Sequence, residues 1–134
     1  MARFAVDIFD VLLGLLRPAL PGVTVRTKQP DNVPSMMPLV LLQRVGGSSA
    51  APRFFDTPLI TVQCWAESDQ AASDLADAVR RVLWTAYRTQ QVVPDVGWIG
   101  LMRESSGPLD MPDPDLPFAG RYVATYELRV RSAG

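Results

Sequence analysis

The chain lacks histidine altogether and contains a single cysteine, Cys64. The absence of histidine excludes Ser-His-Asp and Cys-His catalytic arrangements and histidine metal ligands. One cysteine cannot close an intramolecular disulfide. Because Cys64 lies between apolar neighbours, we expect it to be a small hydrophobic core residue rather than a nucleophile. These absences favour a non-enzymatic protein without a cofactor and direct attention to assembly.

An excess of one charge and long apolar runs are also missing. The formal net charge is −1, so the composition as a whole does not favour nucleic acid or an anionic membrane as a partner. The apolar N-terminal run FAVDIFDVLLGLLRPAL contains Asp7 and Asp10 and falls short of the ~20 apolar residues that span a bilayer. Only Arg3 precedes this run, which does not suit a signal peptide. No membrane partner is predicted.

Two amphipathic helices are predicted from apolar periodicity. Pro18, Pro21 and Gly22 are expected to end the first, and Ser68 or Asp69 is a natural N-cap for the second. The residues that recur at helical spacing are Val6, Phe9, Leu13, Leu16 and Leu20 in the first helix and Ala72, Leu75, Ala76, Val79, Val82, Leu83 and Ala86 in the second.

The remaining apolar segments have the period of strands. Ile60, Val62 and Cys64 lie on one face of a strand whose other face is also partly apolar, which is typical of a central strand. The predicted order is α-β-β-β-α-β-β. We therefore expect one α+β domain over residues 1–134, with a mostly antiparallel sheet of about four to five strands and two helices packed on one face. The predicted strands are 22–28, 38–47, 57–66, 98–107 and 120–131.

The segment 107–118, GPLDMPDPDLPF, contains four prolines and three aspartates. Proline lacks the N–H that helices and strand ladders use, so this segment is predicted to be an extended, exposed loop. The aspartates do not fit a calcium-binding EF-hand loop, which needs a glycine and a distal glutamate at fixed positions. A solvated acidic loop is the expected state, and a weak cation site is the alternative.

Three surfaces are candidate interfaces. The loop 107–118 is one. A hairpin tip from Gly46 to Arg53 is another, and the polar face of the strand 121–131 is the third. This polar face could line a DNA channel, form salt bridges with a neighbour or simply be solvated. The candidate interface residues are Arg44, Arg53, Leu109, Asp110, Asp113, Asp115, Phe118, Arg121, Arg129 and Arg131.

An ordered set of motifs carries a resemblance to a known family. These are VTVRTKQPDNVPSMMPLVLLQRVGG, DTPLITVQCWAESDQAASDLADAVRRVL and ESSGPLDMPDPDLPFAGRYVATYELRVR. Together, from about Val23 to Arg131, they resemble the tail terminator proteins of long-tailed phages, especially those of actinobacterial phages and prophages. A Pro-Asp loop before an Arg-Tyr strand is not a physical requirement of the fold, so the ordered set is more specific than any one motif.

The resemblance implies a non-enzymatic homohexameric ring on the head-proximal end of the phage tail tube. Such a ring stops tube polymerisation and docks to the head connector, so the implied partners are a second copy of the chain, the major tail tube protein and the head–tail connector protein. DNA would pass through the lumen without specific binding. The implied location is the virion tail, after assembly in the host cytoplasm.

Two other functions stay open at this point. One is a neighbouring structural role, such as head closure, another head–tail joining ring or a tail-tube subunit. The other belongs to a different class: a small ligand-binding or enzymatic domain that uses the carboxylates of Asp56 and Glu67, whose pKa values would have to be separated by their environments. If the loop is an exposed interface arm, deletion of Leu109–Leu116 should leave the fold intact but abolish ring formation or docking.

Overall fold

The computed structural model describes residues 7–48 and 55–133. Within these ranges the chain forms three helices and five strands, so the α+β class is confirmed. In chain order the elements are α1 (Ile8–Ala19), β1 (Thr24–Arg26), α2 (Val33–Met36), β2 (Leu39–Ser48), β3 (Phe55–Ala66), α3 (Asp69–Thr89), β4 (Gly97–Asp110) and β5 (Gly120–Ser132).

The five strands form one sheet in the order β1-β2-β3-β5-β4. The short strand β1 runs parallel to β2, and the other neighbouring pairs are antiparallel. The predicted central position of β3 is confirmed, since β3 pairs with β2 on one side and β5 on the other. The long strand β4 lies at an edge of the sheet, with its outer backbone groups unpaired by another described strand.

The ends of the helices follow from their capping residues. The Asp7 carboxylate accepts a hydrogen bond of 2.9 Å from the Phe9 N–H at the start of α1, and the Ser68 hydroxyl accepts one of 3.1 Å from the Ala71 N–H at the start of α3. The prediction that Pro18, Pro21 and Gly22 end the first helix holds for Pro21 and Gly22, since α1 ends at Ala19, but Pro18 lies inside the helix. Pro18 has no N–H to donate, while the Leu20 N–H still donates to the Leu16 carbonyl at 2.9 Å.

The main core lies between the helices α1 and α3 and one face of the sheet, as predicted. Alternate residues of β3 and β5 point into it, and the apolar stripe of α3 covers them. Its buried members are Ile8, Val11, Leu12, Leu15, Leu16, Val25, Val40, Leu42, Ile60, Val62, Cys64, Leu75, Ala76, Val79, Leu83, Ala86, Ile99, Ala124, Tyr126, Leu128 and Val130.

A second, smaller core lies on the opposite face, at one end of the sheet. Trp65 is its largest buried residue, and α2 helps to cover it. The sequence analysis treated 28–38 as a loop and missed α2, because three prolines interrupt the segment. Pro34 falls at the start of α2, where its missing N–H has no intrahelical partner to lose, and the Asn32 side chain caps the Ser35 N–H at 3.2 Å.

The prediction that residues 107–118 form no paired strand is wrong for the first four residues. Strand β4 continues to Asp110, with Leu109 opposite Val123 and Asp110 opposite Tyr122 in β5. A shift of register between Ser106 and Leu109 accommodates the intervening glycine and proline. Proline is tolerated here because β4 is an edge strand and the ladder is interrupted. Residues 111–118 lie outside the strands.

Candidate assembly surfaces

The side of the sheet away from α1 and α3 is here called the open face. It follows from strand alternation: where Ile60 and Val62 point to the helices, Thr61 and Gln63 point away. The register of neighbouring strands extends this face across the sheet. Its members outside the second core include Gln43, Leu59, Thr61, Gln63, Trp98, Leu101, Arg103, Leu109, Arg121, Val123, Thr125, Glu127, Arg129 and Arg131.

Arg121 connects three parts of the chain at one end of the open face. Its guanidinium donates to the Gln63 side-chain oxygen at 2.9 Å and to the Met111 carbonyl at 3.1 Å, and Gln63 in turn donates to the Gln43 side-chain oxygen at 2.9 Å. The guanidinium carbon also lies 5.1 Å from the centre of the Trp65 ring, within the range of cation–π attraction. This predicted interface residue therefore has an internal role, holding residue 111 to the sheet.

The other two arginines of β5 lie further along the open face. Arg129 is half-buried opposite Leu101 of β4, and Arg131 is exposed opposite Trp98. Arg103 adds a third basic side chain, opposite Glu127. The open face thus carries more basic than acidic side chains, and the structure brings Arg121, Arg129 and Arg131 onto one surface as the alternation predicts.

Residues 109–118, here called the acidic segment, turn back over the second core. Leu116 packs against that core, and its N–H donates to the Asp113 carbonyl at 3.0 Å. The Asp113 carboxylate accepts from the Asp115 N–H at 3.0 Å, which fixes the turn. The predicted exposure holds for other members: Phe118 is 62% exposed, Leu109 55% and Met111 44%. The acidic segment is therefore an ordered, anchored projection rather than a free arm.

Acidic side chains in this segment do not converge on a cation site. Across residues 7–48 and 55–133, no group of three or more cysteine, aspartate or glutamate side chains is arranged to hold a metal ion. Asp110 and Asp115 are exposed. These two carboxylates are therefore open to solvent, whereas that of Asp113 accepts the hydrogen bond within the turn.

Arg44 does not join the arginines of β5. It lies opposite Ile60 in the β2–β3 pair, so its position is on the helix side of the sheet, and its Nε donates to the Gly46 carbonyl at 3.1 Å. Beside it, Gly47 has a φ of 112°, which other residues rarely adopt. The rest of the predicted hairpin tip, Arg53 included, lies outside the described residues.

The sequence analysis missed a cleft between α3 and β4. Its volume is about 420 Å³, and it is lined by Asp77, Arg80, Arg81, Trp84, Met102 and Glu104. Two ion pairs frame it: Arg80 with Glu104 at 2.7 Å and Arg81 with Asp77 at 2.9 Å. The available signal was Trp84, which falls off the apolar stripe of α3 yet is a large aromatic residue.

Two aromatic residues, one exposed and one buried, lie at or beside this cleft. Trp84 is 46% exposed, while Arg88 lies 5.9 Å from its ring centre. Tyr126 is buried beside the cleft, and its hydroxyl has no hydrogen-bond partner among the described residues. Burial, followed by the negative charge of Glu104, raises the pKa of Tyr126, so this hydroxyl is a neutral donor at any ordinary pH. Exposed tryptophan beside arginine is typical of protein interfaces.

Cys64 occupies the main core, as predicted from its neighbours. Burial raises the pKa of its thiol to about 12, so the thiol stays protonated and lacks the electropositive, accessible setting of a reactive cysteine. Of the carboxylates considered for catalysis, Glu67 is exposed, and the side chain of Asp56 lies outside the described part of the chain.

None of the described helices is both long enough and sufficiently apolar to cross a lipid bilayer. The fold and its surfaces define a small α+β protein whose distinctive features are surfaces suited to contacts with other proteins. Residues 4–116 match the family described as phage tail termination protein. Since the match spans most of the chain, the protein belongs to this family. No curated protein matches the sequence.

The family match confirms the resemblance to tail terminators and assigns the chain a structural role in phage tail assembly. It begins at residue 4 and therefore includes α1, which precedes the motifs that carried the resemblance. It ends at residue 116, within the acidic segment, so β5 lies outside it. The chain is accordingly a component of the virion tail.

Proposed function

We propose that the protein forms a ring, a homohexamer, that caps the head-proximal end of the tail tube. The ring stops polymerisation of the major tail tube protein and presents its other face to the head–tail connector protein. The observation that carries this proposal is the match of residues 4–116 to the tail termination family. Assembly would take place in the host cytoplasm, before the tail joins the head.

The described surfaces support a ring in physical terms. A closed ring built from one kind of subunit requires two different, complementary surfaces on each subunit. The α3–β4 cleft and the acidic segment are different in shape and charge, and they lie on opposite sides of the sheet. The unpaired outer edge of β4 is a further surface for strand addition by a tube or connector subunit.

Passage of DNA through the lumen is compatible with the charge of the chain. The net charge is −1, so the whole ring would not retain duplex DNA strongly. Arg103, Arg129 and Arg131 on the open face are interspersed with Glu127 and neutral side chains, and few phosphate contacts give weak, salt-sensitive binding. We propose that DNA contacts the lumen without sequence recognition.

The direct test is control of tube length. Purified major tail tube protein is polymerised alone and with increasing amounts of this chain, and tube lengths are measured by electron microscopy. A terminator shortens the tubes and labels one end of each, whereas unchanged lengths with no end-bound protein would overturn the proposal. Native mass spectrometry of capped ends measures the number of subunits.

The same preparation separates the terminator from a head-closure protein. A head-closure ring binds the connector of DNA-filled heads and leaves polymerising tubes unaffected. A matched control is a preparation that contains the Leu128→Asp variant, whose disrupted core should abolish capping without changing the composition of the assay.

A further inference from the structure

We propose that the acidic segment of one copy docks into the α3–β4 cleft of the next copy, and that this contact joins neighbouring subunits. The inference rests on the proposed ring and names the two surfaces that meet. It commits to a second copy of this chain as the occupant of the cleft.

The cleft has the features of a protein-binding surface. Trp84 lies 46% exposed at a wall where Met102 adds apolar surface. The Tyr126 hydroxyl nearby is buried and has no hydrogen-bond partner among the described residues.

The charge of the cleft wall complements that of the acidic segment. The cleft lining pairs Arg80 with Glu104 and Arg81 with Asp77, so these four charges balance. Arg88, 5.9 Å from the Trp84 ring centre, gives the rim of the cleft an excess of one basic side chain. The acidic segment contributes three aspartates and no basic residue. Arg81 has an 80% exposed side chain, so it keeps donors available for a second carboxylate.

The acidic segment also provides apolar groups of suitable size. Phe118 is the most exposed large hydrophobic residue in the described part of the chain, at 62%, and it follows a segment already held in shape by the contacts of Arg121, Asp113 and Leu116. A preorganised segment loses little conformational entropy when it binds. A volume of about 420 Å³ can accept one aromatic side chain with its neighbours.

The placement of the two surfaces suits a closed ring. The cleft lies on the helix side of the sheet, whereas the acidic segment packs on the second core, on the opposite side. A contact between unlike surfaces of two copies leaves one cleft and one acidic segment free, so each added subunit can bind another. Two copies related by a two-fold axis would have to make this contact twice, reciprocally, which the positions of the two surfaces on opposite sides of the sheet disfavour.

Paired cysteine substitutions test this contact directly. Thr85→Cys, an exposed position one helical turn from Arg81 on α3, and Pro117→Cys in the acidic segment leave Arg81, Trp84 and Phe118 in place, and the buried Cys64 thiol does not compete. Capped tubes are assembled from an equal mixture of the two variants and treated with a short bifunctional maleimide. We expect a covalent dimer from the mixture and little from either variant alone.

A matched control replaces Pro117→Cys by Val45→Cys, an exposed position on β2 that lies outside both surfaces. Crosslinking of the first mixture no greater than that of the control would overturn the inference. If tube capping persists in that case, the proposed function stands and the subunits meet elsewhere. If neither cysteine variant caps tubes while wild-type protein does, the crosslinking cannot be read. The self-association of wild-type protein is then compared with that of Trp84→Ala.

Trp84→Ala provides this independent measurement. Loss of a central interface tryptophan should weaken self-association by about tenfold or more, while circular dichroism and thermal unfolding of the subunit stay close to wild type. Phe118→Ala should have a similar effect. Self-association of the double variant should be no weaker than that of the more affected single variant, because both side chains belong to one contact. Independent, additive losses, or no loss from Trp84→Ala, would contradict the proposed contact.

Discussion

The two faces of the central sheet are built from alternate residues of the same strands, yet they have different physical tasks. On β3 and β5 the covered face is hydrophobic apart from the tyrosine hydroxyls, with residues such as Ile60 and Leu128 inaccessible to solvent. The open face alternates with it and carries Thr61, Gln63 and Glu127 in half-exposed positions. The covered face therefore supplies most of the buried apolar surface, and the part of the open face outside the second core is left to present polar groups.

The largest expected effect comes from comparing the same kind of substitution on the two faces of one strand, β5. Leu128→Asp places a carboxylate in the main core, where it has no partner, and should destabilise the protein by about 4 kcal/mol or unfold it. Thr125→Asp on the open face of β5 should cost less than about 1 kcal/mol. Urea unfolding followed by circular dichroism measures both variants. Equal losses would show that the two faces are equally buried, as they would be if a partner already covered the open face.

The second prediction compares two tryptophans. Trp65 is 1% exposed in the second core, so Trp65→Ala should cost about 3 kcal/mol and release the stacked Arg121. Trp84→Ala should change the free energy of unfolding by less than about 1 kcal/mol, because its ring is already half in water. Thermal unfolding of the isolated subunits checks this difference. A large loss of stability from Trp84→Ala would mean that the cleft supports the fold rather than an interface.

The second core also changes one expectation from the sequence. Deletion of Leu109–Leu116 removes two paired residues of β4 and the Leu116 contact with the second core. The fold is therefore expected to lose stability, because Trp65 would be uncovered. The sequence could not indicate this, since only the return path of the chain places Leu116 over a distant strand.

The spacing of apolar residues along the chain predicted the helices and strands whose buried faces are regular. The helix stripe of α3, the alternation of β5 and the central position of β3 all follow from apolar spacing. The missed elements depend on context: α2 is a short helix in a proline-rich segment, and β4 extends through Pro108 because an edge strand tolerates it. Pairing with β5 decided the extension of β4, whereas the Asn32 cap and Pro34 were local signals of α2.

The candidate surfaces were predictable to different degrees. Alternation placed Arg121, Arg129 and Arg131 on one face without any structure. It could not indicate that Arg121 binds Gln63 and Met111, since these partners are distant in sequence. The cleft was likewise hidden, because Arg80 and Glu104 belong to elements whose packing is set by the order of strands. Trp84 was the one local sign of it.

The third prediction concerns the junction between the acidic segment and β5. A Cβ at Gly120 would collide with the backbone of Ser68 at the start of α3, so Gly120→Ala should cost about 2 kcal/mol. At Gly107 the closest atoms to such a Cβ belong to the Glu104 side chain, at 3.6 Å, and Gly107→Ala should be nearly neutral. Unfolding midpoints in urea compare the two. A neutral Gly120→Ala would show that β5 and α3 can move apart at this junction.

The smallest expected effect concerns the Cys64 thiol, and it tests whether the covered face excludes water from this group. The pKa of the Cys64 thiol is raised to about 12 from 9.0 by burial, so the folded state keeps a proton that the unfolded state loses above about pH 9. The unfolded state then binds fewer protons, and the free energy of unfolding falls as pH rises, by about 1 kcal/mol between pH 8 and pH 10. Cys64→Ala lowers stability at both pH values through its cavity, but it should remove this part of the alkaline loss. An unchanged loss in the variant would assign it to other groups, such as Tyr126, and would indicate that water reaches Cys64 through the covered face.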